Sequence, residues 1–111
     1  MKDTEIAWLA GIIEGEGTFF KRGAGRSKGL YVFALEMCDK DIVERACFVF
    51  GYGNVKPAKV RGLGKKDRWI WRFEKCSELC RLGSAILPWL GERRAMVVNQ
   101  MLTDLNGRGR S

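Results

Sequence analysis

Several features that often indicate a function are missing from this sequence. It contains no histidine, and its cysteines, Cys38, Cys47, Cys76 and Cys80, form no Cys-x-x-Cys pair, so the usual ligand spacing of a zinc site is absent. No apolar run approaches the roughly 20 residues of a membrane span. The start of the chain, residues 1–5, lacks the basic and apolar segments of a signal peptide. We therefore expect a soluble intracellular protein with reduced thiols, in which Cys76 and Cys80 are small buried side chains on one helix.

Acidic residues are scarce after position 17, and the charge of the chain is therefore uneven. The 111 residues include 20 Lys and Arg and 13 Asp and Glu, a net charge of +7. Residues 1–17 hold one basic and four acidic residues, which leaves nineteen basic and nine acidic residues, a net of +10, for the rest. A strongly basic body favours a polyanionic partner, nucleic acid before an anionic membrane. A membrane partner is not expected, because no helix combines a basic face with an apolar one.

The first predicted helix carries two stripes of different character. It extends from an N-cap at Thr4 to about Gly15, with large apolar residues on one stripe and small residues on another. Each glycine inside a helix costs roughly 1 kcal/mol relative to alanine. The small stripe is favourable if another backbone packs closely against it, and otherwise it is a weak point in the helix. The apolar stripe contains Ile6, Leu9 and Ile13, and the small stripe contains Ala7, Gly11 and Gly15.

Two carboxylates, Glu14 and Glu16, lie at the C-terminal end of this helix. A helix C-terminus carries partial negative charge, and an acid there is disfavoured by about 0.3–1 kcal/mol. A cation outside the helix would offset that charge. The simplest candidate is Mg²⁺, which binds one or two carboxylates, several waters and substrate phosphates.

The remaining periodicities predict an α+β fold made of one domain. Strands are predicted over 18–26, 29–37, 54–61 and 68–74, and further helices over 39–50, 77–87 and 92–105. This order predicts one antiparallel sheet with its helices on one face. The domain spans residues 1–105, and residues 106–111 are expected to form a basic, flexible tail.

The predicted strand over 68–74 shows how the two faces of the sheet differ. Trp69, Trp71 and Phe73 alternate with Arg68, Ile70 and Arg72, so aromatic residues face inward and cations face outward. Such a face can lie in the major groove of DNA, where arginine and lysine contact guanine edges or phosphates. The residues expected to contact DNA are Lys21, Arg22, Arg26, Lys28, Lys56, Lys59, Arg61, Arg68 and Arg72.

The segment Leu9–Gly17, followed by Thr18-Phe19, resembles the signature of the LAGLIDADG homing endonucleases. The predicted order of helices and strands resembles the αββαββα core of that family over nearly the whole chain. Three shorter segments, 39–41, 50–55 and 90–94, resemble the family's polar step before the second helix, its glycine turn into the third strand and its basic step before the last helix.

The resemblance implies roles for the acids and the small residues of the first helix. In this family the signature helices of two half-domains pack together, and the last acid of each motif binds metal at the scissile phosphates. Glu16 is then the metal ligand, the backbone carbonyl of Gly15 is a second ligand, and Glu14 is a structural acid. Because the chain has one such motif, the resemblance implies a homodimer and a palindromic or near-palindromic DNA site. The implied dimer interface comprises Ala7, Gly11, Ile12 and Gly15.

Two supporting catalytic residues are also implied by position. The family usually has a Gln-like residue after the second strand and a lysine near the start of the last helix, and here those positions hold Asp39 and Arg93. Asp39 can orient water or metal, and Arg93 can stabilise charge on the phosphate. Cys38 and Arg94 are the alternative equivalents. Since the chain has no histidine, metal and a polar network would have to activate the water.

We therefore expect a site-specific DNA endonuclease of the kind that mobilises introns, which makes a double-strand break with Mg²⁺ or another divalent cation. The alternative is a binding protein with weak or no catalysis on the same fold, either an intron maturase with RNA as its partner or a DNA-binding regulator.

Overall fold

A computed structural model of the chain describes residues 1–22, 31–58 and 67–108, with side chains up to residue 106. The helices are α1 (Asp3–Glu16), α2 (Lys40–Phe50), α3 (Cys76–Ile86) and α4 (Glu92–Arg108). The strands are β1 (Gly17–Lys21), β2 (Tyr31–Met37), β3 (Val55–Ala58) and β4 (Arg68–Phe73). A short 3₁₀ turn, Leu87–Trp89, joins α3 to the segment before α4.

The four strands form one antiparallel sheet in the order β1-β2-β4-β3. Phe33 lies opposite both Phe19 and Phe73, and Leu35 lies opposite Trp71, so these apolar side chains share one face. The helices cover that face, and the predicted α+β architecture is confirmed. We refer to the two sides of the sheet as the helix side and the open side.

Aromatic rings fill the helix side. The Phe33 and Trp71 rings meet edge to face with centroids 4.9 Å apart, and Phe50 of α2 stacks on Phe73 at 5.7 Å. Trp71 is fully buried, and its indole N–H donates to the Tyr52 carbonyl at 2.9 Å. The predicted inward face of β4 is therefore confirmed for Trp71 and Phe73, while Trp69 is half-buried.

The turn after α2 explains two glycines in the sequence. Gly51 ends the helix in a left-handed conformation with φ 84°, which L side chains rarely adopt. Gly53 has φ 93°, and a Cβ there would lie 2.8 Å from the Trp71 indole nitrogen. The turn thus lets the backbone lie directly against the ring that anchors the core.

Some element ends differ from the predictions. Thr4 is not the N-cap of α1, because the helix begins at Asp3 and Lys2 is the cap, whose N–H donates to the Glu5 carboxylate at 2.8 Å. Helix α4 continues to Arg108, so residues 106–108 of the predicted tail are helical, and residues 109–111 lie outside the described residues. No helix within the described ranges is long and apolar enough to span a membrane.

The four cysteines are free thiols. Cys47 and Cys80 are half-buried against the core, and burial raises the pKa of both thiols. Cys76 was expected to be buried but is exposed, because it is the first residue of α3 and lies at the rim of the helix layer.

Candidate active site and nucleic-acid interface

Glu14, the first of the two acids at the end of α1, is occupied within the fold. Its carboxylate accepts the Gly91 N–H at 2.6 Å and lies 3.7 Å from Nε of Arg94. Arg94 also donates to the Gly17 carbonyl just beyond α1. Arg94 therefore supplies, from α4, a cation at the helix terminus that the sequence of α1 lacks. The structural role expected for Glu14 fits this arrangement, and the bonds of Arg94 make it a poor candidate for the free catalytic cation.

Glu16 has a different environment. It is the last residue of α1 and is exposed, and no described residue forms an ion pair or hydrogen bond with its carboxylate. It lines a cavity of about 210 Å³ together with Cys38, Asp39 and Arg68. The acid without a partner thus lies at the end of the helix where negative charge is least favourable.

Asp39 lies in the same cavity as Glu16, as a shared role requires. It is the N-cap residue of α2, and its carbonyl accepts the N–H groups of Ile42 and Val43 at 3.1 and 3.2 Å. Its side chain makes no capping hydrogen bond, so the exposed carboxylate remains available. Arg93 is exposed in the first turn of α4 and lines a neighbouring cavity of about 430 Å³ with Gly15 and Thr18. The structure therefore brings Glu16 and Asp39 together and places Arg93 on the other side of the end of α1.

The chemistry of these donors fits a hard divalent cation. Mg²⁺ and Ca²⁺ prefer carboxylate and carbonyl oxygens, which Glu16, Asp39 and the Gly15 backbone can supply. Among the described residues, no three His, Cys, Asp or Glu side chains lie close enough together to hold a metal by themselves. A cation bound at Glu16 would therefore take its remaining ligands from water, phosphate or a second chain.

Arg68 borders the Glu16 cavity in a fixed position that sequence patterns do not reveal. Its Nε donates to the Glu36 carboxylate at 2.7 Å, its Nη2 to the Glu36 carbonyl at 3.2 Å, and its Nη1 lies 3.4 Å from Sγ of Cys38. The hydrogen bond that Arg68 donates to Glu36 raises the pKa of the Arg68 guanidinium above its already high value. The sequence predicts Arg68 only as a DNA contact, because strand alternation says nothing about cross-strand partners.

The predicted cations divide between the two sides of the sheet. Lys56 and Arg72 lie on the open side, since their register partners, Ile70 and Ala34, point away from the aromatic core. Arg68 shares that side by alternation, and Arg22, just after β1, pairs with Glu74 at 2.6 Å. The other predicted contacts, Arg26, Lys28, Lys59 and Arg61, lie outside the described residues.

Lys21 departs from the predicted arrangement. It lies opposite Tyr31, and its Nζ is 3.9 Å from the Asp104 carboxylate of α4, so it belongs to the helix side. Both Lys21 and Arg22 were expected to contact DNA, and of the two only Arg22 lies beside the open side, where it pairs with Glu74. Lys21 is therefore not part of the DNA interface on the open side.

The small stripe of α1 faces out of the subunit. A Cβ added at Gly11 or Gly15 would meet nothing within 4 Å, whereas Leu9 and Ile13 of the apolar stripe are fully buried. The glycines are therefore not required for packing within the described part of the chain. Ala7 and Ile12, the other residues of the implied dimer interface, are half-buried at its margins.

Comparison with known proteins gives a likeness in structure alone. The sequence matches no family model and no curated protein. The homing endonuclease I-TnaI aligns with a TM-score of 0.74 at 21% identity over 99% of this chain and 75% of its own. The homing endonuclease I-CvuI, solved with its target in the presence of calcium, gives 0.73 at 17% identity over 94% of this chain and 67% of its own.

A third structure is the archaeal intron-encoded homing endonuclease I-Vdi141I complexed with DNA, with a TM-score of 0.69 at 18% identity over 100% of this chain and 72% of its own. The expected resemblance is therefore confirmed in three dimensions, and the chain has the homing endonuclease fold.

Proposed function

We propose that this protein is a homodimeric, metal-dependent DNA endonuclease that makes a double-strand break at a specific site. The observation that carries the proposal is the contrast at the end of α1, where Glu14 is bonded into the fold and Glu16, beside Asp39, has no partner among the described residues. A free acid at a helix C-terminus lowers stability, and a metal-binding role accounts for its presence.

DNA is the proposed substrate because of the open side of the sheet. Lys56, Arg68 and Arg72 lie there, and the chain after residue 17 carries a net charge of +10. Cations of this kind neutralise phosphates and give affinity that falls steeply with salt. I-Vdi141I, which shares the fold, was solved complexed with DNA, and I-CvuI was solved in complex with its target.

The residues around Glu16 supply the functions that phosphodiester hydrolysis needs. Glu16 and the Gly15 carbonyl would hold the cation, which when bound lowers the pKa of coordinated water and offsets charge on phosphate oxygens. Asp39 accepts hydrogen bonds and orients the attacking water. Arg93 offsets the negative charge that develops on the phosphate.

A second copy of the chain is part of the proposal. The exposed glycines of the small stripe of α1, Gly11 and Gly15, with the half-buried Ala7 beside them, allow two such helices to approach closely about a two-fold axis. Each copy then supplies one Glu16, and two strands can be cut. A two-fold dimer favours a palindromic or near-palindromic site.

The test compares two glutamates in a cleavage assay on a plasmid library with Mg²⁺. We expect Glu16→Gln to reduce cleavage by at least about 1,000-fold, since metal binding supplies several kcal/mol to the transition state and 1.36 kcal/mol corresponds to tenfold. DNA affinity should change only slightly. Glu44→Gln, the same substitution at an exposed position of α2, is the control and should cut normally.

Two outcomes contradict the proposal. Normal cleavage by Glu16→Gln would show that Glu16 is not the metal ligand. Sequence-specific binding by the wild-type chain with no cleavage under any divalent cation would instead favour a binding protein on the same fold.

A further inference from the structure

The three arginines on or beside the open side differ in their acidic partners. Arg68 is bonded to Glu36, and Arg22 is bonded to Glu74, with distances of 2.7 and 2.6 Å. No described carboxylate pairs with Arg72, which is exposed. The guanidinium donors of Arg72 are thus available, within the described part of the chain, for a ligand outside the protein.

An aromatic ring helps to hold Arg72 in place. Its guanidinium carbon lies 5.8 Å from the centroid of Phe20 on β1, within the range of a cation–π contact. Phe20 is 38% exposed on the open side, whereas Val32, directly opposite it on β2, is fully buried. The residue directly opposite Arg72 is Ala34, whose short side chain leaves the guanidinium uncovered on that side.

The position of Arg72 in the sheet indicates what it would contact. Strands are about 4.8 Å apart, so the outer strands β1 and β3 are separated by roughly 14 Å. The DNA major groove is about 12 Å wide. If the strands run along the groove, cations on the edge strand β3 meet the phosphates and those on the interior strand β4 lie over the base edges. Lys56 is on β3, and Arg72 is near the end of β4.

We infer that Arg72, oriented by Phe20, reads a guanine in the major groove through its two free donor groups, and that Arg68 does not. Guanine O6 and N7 match the fork of an arginine guanidinium, and this is the commonest specific contact with DNA. Arg68 instead acts as a positioning residue, because Glu36 and Cys38 accept from its Nε and from one N–H of each terminal nitrogen beside the Glu16 cavity, and the Glu36 carboxylate offsets its charge. This assignment rests on the proposed function, since it requires a DNA substrate.

The inference predicts which substitutions change sequence preference and which change only affinity. The experiment selects bound sites from randomised duplex DNA in the presence of a chelator, so that no strand is cut. The wild-type chain should enrich a motif with a guanine in each half-site. Arg72→Gln should lose the guanine preference at that position by roughly 5- to 100-fold. Phe20→Leu, which leaves the arginine but removes the ring, should lose part of it.

Lys56→Ala is the matched control for a phosphate contact. It should enrich the wild-type motif with lower affinity and reduce the slope of log affinity against log salt by about 1. Circular dichroism of each variant separates a change in preference from loss of the fold.

The outcomes separate the inference from the function on which it rests. If the wild-type chain enriches no motif, both the proposed function and this inference fail. If Arg72→Gln enriches the same motif with uniformly weaker binding, Arg72 contacts a phosphate and only the inference fails. If Arg68→Gln is the variant that relaxes a guanine preference, the assignment of the two arginines is reversed.

Discussion

The two sides of the sheet differ in how far their side chains are used by the fold. On the helix side, Phe33 and Trp71 are fully buried among rings 4.9–5.2 Å apart, and even the Trp71 N–H has a partner. On the open side, Arg72 and Lys56 are exposed, and no described carboxylate pairs with either. The aromatic core therefore lies on the helix side, whereas substitution of these exposed cations on the open side should cost the fold little.

The largest effect expected from this comparison is on folding. Trp71→Ala removes a fully buried indole and leaves the Tyr52 carbonyl with only the weak donor of the Cys47 thiol, so we expect it to lower the free energy of unfolding by about 3–5 kcal/mol. Ile70→Ala, one residue away on the open side, should cost about 1 kcal/mol, the scale of strand propensity. Urea unfolding followed by circular dichroism measures both.

Because a domain of this size is stable by only about 5–15 kcal/mol, Trp71→Ala could leave little folded protein. Trp71→Phe keeps a ring and provides a milder test. Equal losses for the two neighbouring positions would mean that the open side is as much a part of the core as the helix side.

The difference between the two sides of the sheet can be predicted from the sequence because it depends on residues that are close together in the chain. Alternation over residues 68–73 separates rings from cations, and the glycines of α1 mark a face on which a second backbone could pack. Contacts between residues that are distant in the sequence cannot be predicted from such local patterns. The bond between Arg94 and Glu14 joins positions 80 residues apart in the numbering, so the cation that offsets Glu14 could not be identified from the sequence of α1.

The same limit explains the misplaced prediction at the end of β1. The side on which Lys21 lies depends on its register with Tyr31, and the long separation between β1 and Asp104 hides the partner. The end of α4 was predicted at residue 105, and the helix continues to Arg108 although the glycine at 107 reduces helix propensity. From residues alone, either acid at the end of α1 could hold a cation, whereas the structure gives a physical reason to choose Glu16.

The two acids at the end of α1 show the same contrast as the two sides of the sheet: within the described residues, the fold uses the side chain of Glu14 but not that of Glu16. We expect Glu14→Ala to lower the free energy of unfolding by about 1–2 kcal/mol, because it removes the acceptor of the Gly91 N–H and the partner of Arg94. Glu16→Ala should leave the free energy of unfolding unchanged or raise it by about 0.3–1 kcal/mol. The substitution removes a carboxylate, which no described residue pairs with, from the negative end of the helix dipole. Thermal and urea unfolding in metal-free buffer give both values. A larger loss at Glu16 than at Glu14 would reverse the roles given to the two acids.

The smallest effect concerns the edge of the helix side, where the Tyr31 hydroxyl donates to the Asp104 carboxylate of α4. Burial, followed by the hydrogen bond and the charge of Asp104, raises the pKa of Tyr31 to about 12. The folded chain therefore holds this proton more tightly than the unfolded chain, so the stabilisation is complete below pH 10 and is lost as the pH rises to about 12. At pH 7, Tyr31→Phe should lower the free energy of unfolding by about 1 kcal/mol.

The difference between Tyr31→Phe and the wild type should then shrink between pH 10 and 12, in urea titrations performed across that range. Tyr52→Phe is the control, because its hydroxyl makes no hydrogen bond to any residue that the structure describes. If the difference in free energy of unfolding between the wild type and Tyr31→Phe stayed constant up to about pH 12, the hydrogen bond from the Tyr31 hydroxyl to Asp104 would not be its source.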